Sequence, residues 1–328
     1  MNLKKYIPFV LTAFVFASCQ KDVDVFIPDP GQPTGPDTTW VGAVTEIQPV
    51  SLLKKDIQLN AVTDSFESGI SANTVLWPSG LQCDFFLNSV VDASSNPVAG
   101  KVFVEAMFLK TRGEMIKMNR LTVSDEGKLL VSGGALNVKI INGDTLVDIS
   151  KGEGIEITSP AQGDVMANKL FFGEETTPGV FKWVKYNNDF QGYLVSSSNS
   201  EYKMKCRRAG WISPAKIFES PAATTTVSAK LPSHFTNANT SVYLVFRNML
   251  SVIELVPDVA KRKFITNVPV PVGLPITMVV ISRQGNDYYL GHADATSAAP
   301  STSSEFQQMA SNPKKVSFEK LDEYISGL

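Results

Sequence analysis

From residue 41 onward, apolar and polar positions alternate in short runs cut by turn residues, the pattern of strands with one buried face. "DIQLNAV" at 56–62 sets Ile57, Leu59 and Ala61 against polar neighbours, and "KVFVEAMFL" at 101–109 puts Val102, Val104, Ala106 and Phe108 on one face. "LNVKI" and "DTLVDI", joined by "INGD", predict a hairpin in which Asn142-Gly143 supplies the positive φ of a tight turn. "GIEIT" at 154–158 predicts another strand, closed by Ser159 and Pro160. Further strands are predicted in "GVFKWVKY" (179–186), "GYLVSSS" (192–198), "EYKMKCRRAGWIS" (201–213) and "TSVYLVF" (240–246), and in a pair, "ITMVVIS" and "DYYLGHA", joined by "RQGN". The last element, "SFEKLDEYISGL", has helical spacing, with Ser317 as cap, Phe318, Leu321 and Ile325 on one face and Gly327 as stop. The expected fold class is mainly β: two β-sandwich-like domains, 41–160 and 161–328, the second ending in a short helix.

The start of the chain has another pattern. Lys4 and Lys5 precede an almost wholly apolar run, residues 6–18, that ends in Ala17 and Ser18; these are the parts of a cleaved secretory signal. As a helix the run reaches roughly 20 Å, short of the roughly 30 Å hydrocarbon core of a bilayer. Cys19 follows directly. At 27–37, "IPDPGQPTGPD" interleaves Pro28, Pro30, Pro33 and Pro36 with Gly31 and Gly35, which excludes a helix or sheet interior and predicts an extended tether over 19–40.

Charge and residue counts narrow the chemistry. Loss of residues 1–18 removes two lysines and no acid, so the formal charge moves from −2 to −4, and no nucleic-acid partner is expected without a basic face. Only His234 and His292 are present. A three-histidine metal site is therefore excluded, and no metal or other cofactor is expected. A Ser-His-Asp triad would have to use one of the two, with Asp294 near His292, yet no Gly-x-Ser-x-Gly elbow partners either. No catalytic residue is assigned.

Glu153 with Glu156, and Glu174 with Glu175, are the candidate carboxylate pairs for glycosidase or calcium chemistry, against the plainer expectation of solvated turns. Trp77 and Trp211 flank turns and are the candidate ligand-facing aromatics, because flat indoles stack on sugar rings. Trp183 alternates within a strand, and core packing is the competing expectation for all three. Cys83 and Cys206 form an even pair, open either to a disulfide across a long loop or to life as two buried thiols.

"ASC" at 17–19 resembles a bacterial lipobox, with Phe16 where leucine is usual, and the resemblance implies that Cys19 receives diacylglycerol and becomes the N-terminus. "QKDVD" after it is similar to the charged segment that sends lipoproteins of the Bacteroides group to the outer face of the outer membrane. "VVDASSNPVAGKVFVEAM" and "LTVSDEGKLLVSGGALNVKI", with turn marks at Asp92, Pro97, Gly100, Asp125 and Gly127, resemble carboxypeptidase regulatory-like β-sandwiches over roughly residues 80–145. "AGWISPAKIF" with "PVPVGLPITMVVIS" resembles the C-terminal half of Bacteroides-group surface lipoproteins, which typically have asparagine where Ser213 stands.

These resemblances imply a non-catalytic, lipid-anchored binding or scaffold protein. Its partners would be the outer membrane, through the lipid, and a glycan or surface protein. A secreted carbohydrate-active hydrolase and an accessory subunit of an outer-membrane assembly are the alternatives.

Overall fold

The alternation in "KVFVEAMFL" becomes the strand Gly100–Leu109, in which Val102, Val104, Ala106 and Phe108 are buried and Lys101 and Phe103 exposed. In the computed structural model the described residues are 37–162, 169–177, 180–186, 190–198, 200–301 and 304–328. The signal segment, Cys19 and all but the end of the tether lie outside them. The chain is mainly β, 50% strand and 8% helix.

Three large sheets carry the fold. A nine-stranded antiparallel sheet follows the order Val62–Ser68, Gly100–Leu109, Ala135–Asn142, Gly210–Ile217, Lys169–Thr177, Val180–Val184, with three short strands branching from it. Its buried side faces a five-stranded sheet ordered Gly192–Ser197, Glu201–Cys206, Ile155–Pro160, Gln82–Phe85, Asn73–Leu76. Val104, Leu136, Val138 and Ile212 meet Phe85, Ile157, Tyr202 and Met204 between the two. This is a sandwich built from alternating inward side chains.

An eight-stranded sheet made from residues 227–316 lies against the other face of the nine-stranded one. Its strand Thr240–Phe246 is buried throughout, because Tyr243 and Val245 point into the middle layer while Val242, Leu244 and Phe246 point into a third core. A strand covered on both faces reads as a continuous apolar run, which is how "TSVYLVF" reads. Three helices, α1 (Pro49–Asp56), α2 (Arg112–Lys117) and α3 (Phe318–Ser326), bring Leu53, Met115, Ile116, Leu321 and Ile325 into the middle core.

Residue 160 does not separate two sets of strands. Ile155–Pro160 pairs with Glu201–Cys206, and Ala135–Asn142 with Gly210–Ile217, so the sandwich runs on to Ile217, and Thr38–Leu328 forms one compact unit. The segment "EYKMKCRRAGWIS" holds two strands in different sheets, turned at residues 207–209.

Residues 56–62 depart from the expected strand. Pro49 opens α1, whose end leaves Ile57 as its C-cap, so Ile57 and Leu59 enter the middle core from a helix end and the strand begins only at Val62. Proline suits the first helical turn, where its missing N–H is not needed. Trp40 packs on Phe264, and Val41 exchanges backbone bonds with the Asn237 amide at 2.9 and 2.7 Å. Trp40 and Val41 thus join the unit that holds the eight-stranded sheet.

The predicted hairpins form, the first with Gly143 and Asp144 in its loop and Asn142 in the strand rather than the turn. Gly143 at φ +60° and Gly285 at φ +60° open two-residue hairpin loops between Asn142 and Thr145 and between Gln284 and Asp287. The Asp92 carboxylate accepts from the Ser94 and Asn96 amides at 2.8 Å each, closing the turn before Pro97. Ser317 caps α3, accepting from the Lys320 amide at 3.3 Å. Helix α2 has a capping box, Thr111 with Glu114, which satisfies amides that the first turn leaves free.

Candidate functional site

The tryptophans are occupied by the protein itself. Trp77 is 4% exposed and sits in the sandwich core, in the turn its amide closes with the Leu81 carbonyl at 2.9 Å. Trp211 is half-buried and carries the Arg120 guanidinium 4.8 Å from its ring centroid; the same guanidinium lies 4.2 Å from the Phe181 ring. Burial holds Arg120 below its ordinary pKa, the cost of placing a cation between two aromatic faces. Trp183 is buried and donates from Nε1 to the Leu121 carbonyl at 2.9 Å. Neither candidate, Trp77 nor Trp211, offers a free stacking platform.

Cys83 and Cys206 are buried free thiols. Both belong to the five-stranded sheet, on opposite sides of Ile155–Pro160, where Cys83 pairs with Ile157 and Cys206 with Ile155. Two strand spacings put their Cα atoms roughly 10 Å apart, beyond the roughly 7 Å that a disulfide can span. The disulfide alternative is therefore corrected to two thiols. Burial pushes Cys206 up to about 12 and raises Cys83 as well, so both stay protonated and unreactive near neutral pH.

The histidines and carboxylates do not assemble. His292 is exposed and stacks on Tyr324 of α3 at 5.3 Å between centroids, whereas the Asp294 carboxylate accepts from the Thr277 hydroxyl and lies 3.7 Å from Arg247. His234 lies on the Phe235 ring, 4.3 Å between centroids. Glu174 and Glu175 are successive residues of one strand and project to opposite faces. The Tyr186 hydroxyl and Arg208 both donate to Glu174 and hold its carboxyl below the usual range, the opposite of what a general acid requires. Glu156 pairs with Lys205 at 3.9 Å on a solvent face, and Glu153 lies in the preceding turn. Among the described residues, no group of three or more His, Cys, Asp or Glu side chains is placed to hold a metal.

Two clefts remain. One, about 600 Å³, opens where Ala135–Asn142 changes neighbour from Gly210–Ile217 to Thr145–Ile149. Asp148 stitches this fork, accepting from the Ala209 amide at 2.9 Å and standing 3.5 Å from Lys151. The three cations of this cleft are all engaged, Arg208 with Glu174, Lys139 with Glu105 and Lys151 with Asp148.

The other cleft, about 500 Å³, lies between the edge of the nine-stranded sheet and the Phe246–Ser251 turn of the eight-stranded one. Lys169, Lys185 and Lys216 line it, together with Phe171, Ile217, Phe218 and Met249, and Glu219 is its one carboxylate. Strand pairing gathers the lysines: Lys169 opposes Ala215, next to Lys216, and Phe172 opposes Val184, next to Lys185. None of the three forms an ion pair among the described residues.

These lysines were not singled out from the sequence, because they are scattered over residues 169–216 and belong to three different strands or strand ends. A signal does exist. In Lys169/Phe171, Trp183/Lys185 and Lys216/Phe218 each lysine stands two residues from an aromatic, the spacing that puts both on one face of a strand.

No family model matches the chain, and no curated protein matches it either.

Proposed function

We propose that the protein is a lipid-anchored, outer-membrane surface protein that binds a ligand in the lysine-lined cleft and does not transform it. The observation carrying this is the cleft itself, three lysines outside any ion pair of the described residues, facing one carboxylate, Glu219, over an aromatic and aliphatic floor. A few convergent polar groups on an apolar floor make a binding site. The engagement of His292 with Tyr324 and of Glu174 with Arg208 favours binding over a hydrolase. Cys19 after "FAS", with the Pro/Gly tether behind it, supports attachment by lipid. No helix among the described residues is long and apolar enough to cross a membrane, so a lipid at Cys19 is the anchor invoked.

A second surface suits a protein partner. Ser65, Phe103, Ile141 and Leu146 oppose one another across four strands, and Leu146 is 67% exposed.

Two experiments test the proposal. Fatty-acid labelling and surface biotinylation of intact cells are expected to mark the wild type, and Cys19→Ala is expected to lose both; an unlabelled wild type refutes the anchor. A glycan array probed with the wild type and with Asn248→Trp, a bulky change at an exposed cleft residue, is expected to show binding that the variant loses. Binding that survives the change refutes the cleft as the site.

A further inference from the structure

We infer that the ligand of this cleft is a small polyanion, a molecule carrying two or more carboxylate, phosphate or sulfate groups; this rests on the cleft being the binding site. Local charge at the cleft opposes the charge of the whole chain. A chain with formal charge −2, or −4 without its first eighteen residues, repels anions at long range. Yet it concentrates Lys169, Lys185 and Lys216 against a single carboxylate, Glu219, at one concave place.

Some lysines elsewhere meet carboxylates, while others, such as Lys182, Lys230 and Lys314, form no ion pair among the described residues. Lys54 meets Glu254 at 2.8 Å, Lys117 meets Asp322 at 2.6 Å, Lys261 meets Glu305 at 3.0 Å and Lys315 meets Asp287 at 2.7 Å. What distinguishes the cleft lysines is that three of them line one concave place, with Lys185 and Lys216 partly buried. Cations lining one concave place repel one another, and an anion set among them relieves that repulsion.

Size and shape limit the ligand. About 500 Å³ admits a molecule of disaccharide or tricarboxylate size rather than a folded segment. Lysine, a flexible point charge, accepts carboxylate, phosphate and sulfate alike, and the planar bidentate selection that arginine provides is missing from the lining. The strand pairing that carries Lys169 and Lys185 sets two cations on neighbouring strands, and Lys216 adds a third from the other side of Lys169–Thr177. Such a triangle favours several charges over one. The apolar floor favours an organic body between the anionic groups.

Calorimetry on the detergent-solubilised full chain tests this, with citrate, pyrophosphate and a sulfated disaccharide as probes and neutral cellobiose as control. At least one of the three anions is expected to bind one to one. Lys169→Ala and Lys216→Ala are each expected to weaken it about tenfold, and raising salt from about 0.05 to about 0.3 M to weaken it severalfold. The preferred anion then separates a carboxylate from a phosphate or sulfate source. Lys101→Ala, on the exposed face of Gly100–Leu109, should change nothing. Unchanged melting temperatures keep the lysine variants interpretable, since all three lysines lie at the rim of the fold. Failure of every anion to bind overturns the inference, and so does anion binding that both lysine variants leave intact. Cellobiose binding that Asn248→Trp abolishes and the lysine variants spare overturns the anionic assignment while leaving the cleft as a binding site.

Discussion

Gly113 of α2 and Ile325 of α3 approach so closely that a Cβ on the glycine would stand 1.6 Å from the Ile325 carbonyl oxygen. The obstacle is backbone, which no side-chain rotation removes. Gly113→Ala must therefore push α3 away from α2 and open the middle core around Met115, Leu321 and Ile325. A loss of about 3 kcal/mol is expected, within the range for overpacking a tight contact, measured by denaturant unfolding. Wild-type stability in this variant would show that α3 does not dock there.

The same two helices share a buried cation. Lys117, 5% exposed, reaches Asp322 at 2.6 Å and the Ser326 hydroxyl at 2.8 Å. Lys117→Ala leaves a partly exposed carboxylate behind and is expected to cost about 1–2 kcal/mol, less than for a fully buried pair. Combined with Asp322→Ala the losses should be less than additive in a double-mutant cycle. Full additivity would mean the pair contributes no coupling.

Arg120 covers Trp211 and Phe181. Arg120→Ala is expected to expose both rings, cost about 1 kcal/mol and shift tryptophan fluorescence toward the red. If the spectrum is unchanged, Trp211 is shielded by something other than this guanidinium.

The two thiols make an alkaline prediction. Burial raises Cys206 from its ordinary 9 to about 12, so the folded state resists ionisation that the unfolded state permits. The stability this represents is complete below pH 9 and lost as pH rises toward 12. Cys206→Ala should flatten that decline, read as the denaturation midpoint against pH. In native protein a thiol reagent should find neither Cys83 nor Cys206, and after denaturation both. A mass that changes on reduction would instead require a disulfide.

Glu174 works in the opposite direction. Hydrogen bonds from Tyr186 and Arg208 lower its pKa, so its contribution is present above the unfolded value near 4.5 and disappears as pH falls through the folded one. Glu174→Gln is expected to lower stability at neutral pH and to lessen the acid-side decline. An unaltered acid limb would remove this carboxylate from the acid-sensitive set.

Much was legible from local pattern. The faces of Gly100–Leu109, the hairpin turns at Gly143 and Gly285 and the ends of α3 at Ser317 and Gly327 follow from residues within one strand, one turn or one helix. Such features depend on side-chain alternation, on positive φ and on capping, all of which act over a few residues. Helix α1 was missed because "DIQLNAV" alternates by chance across a helix end. Pro49 was the overlooked sign.

Tertiary structure alone decided which strands are neighbours. Alternation tells a strand which side to bury but not what to pair with, so Glu201–Cys206 and Gly210–Ile217, three residues apart, could join different sheets. The same nonlocal pairing keeps Cys83 and Cys206 apart on either side of Ile157 and brings Lys169, Lys185 and Lys216 to one cleft. Distances of that kind are set by sheet order, which depends on contacts far apart along the chain.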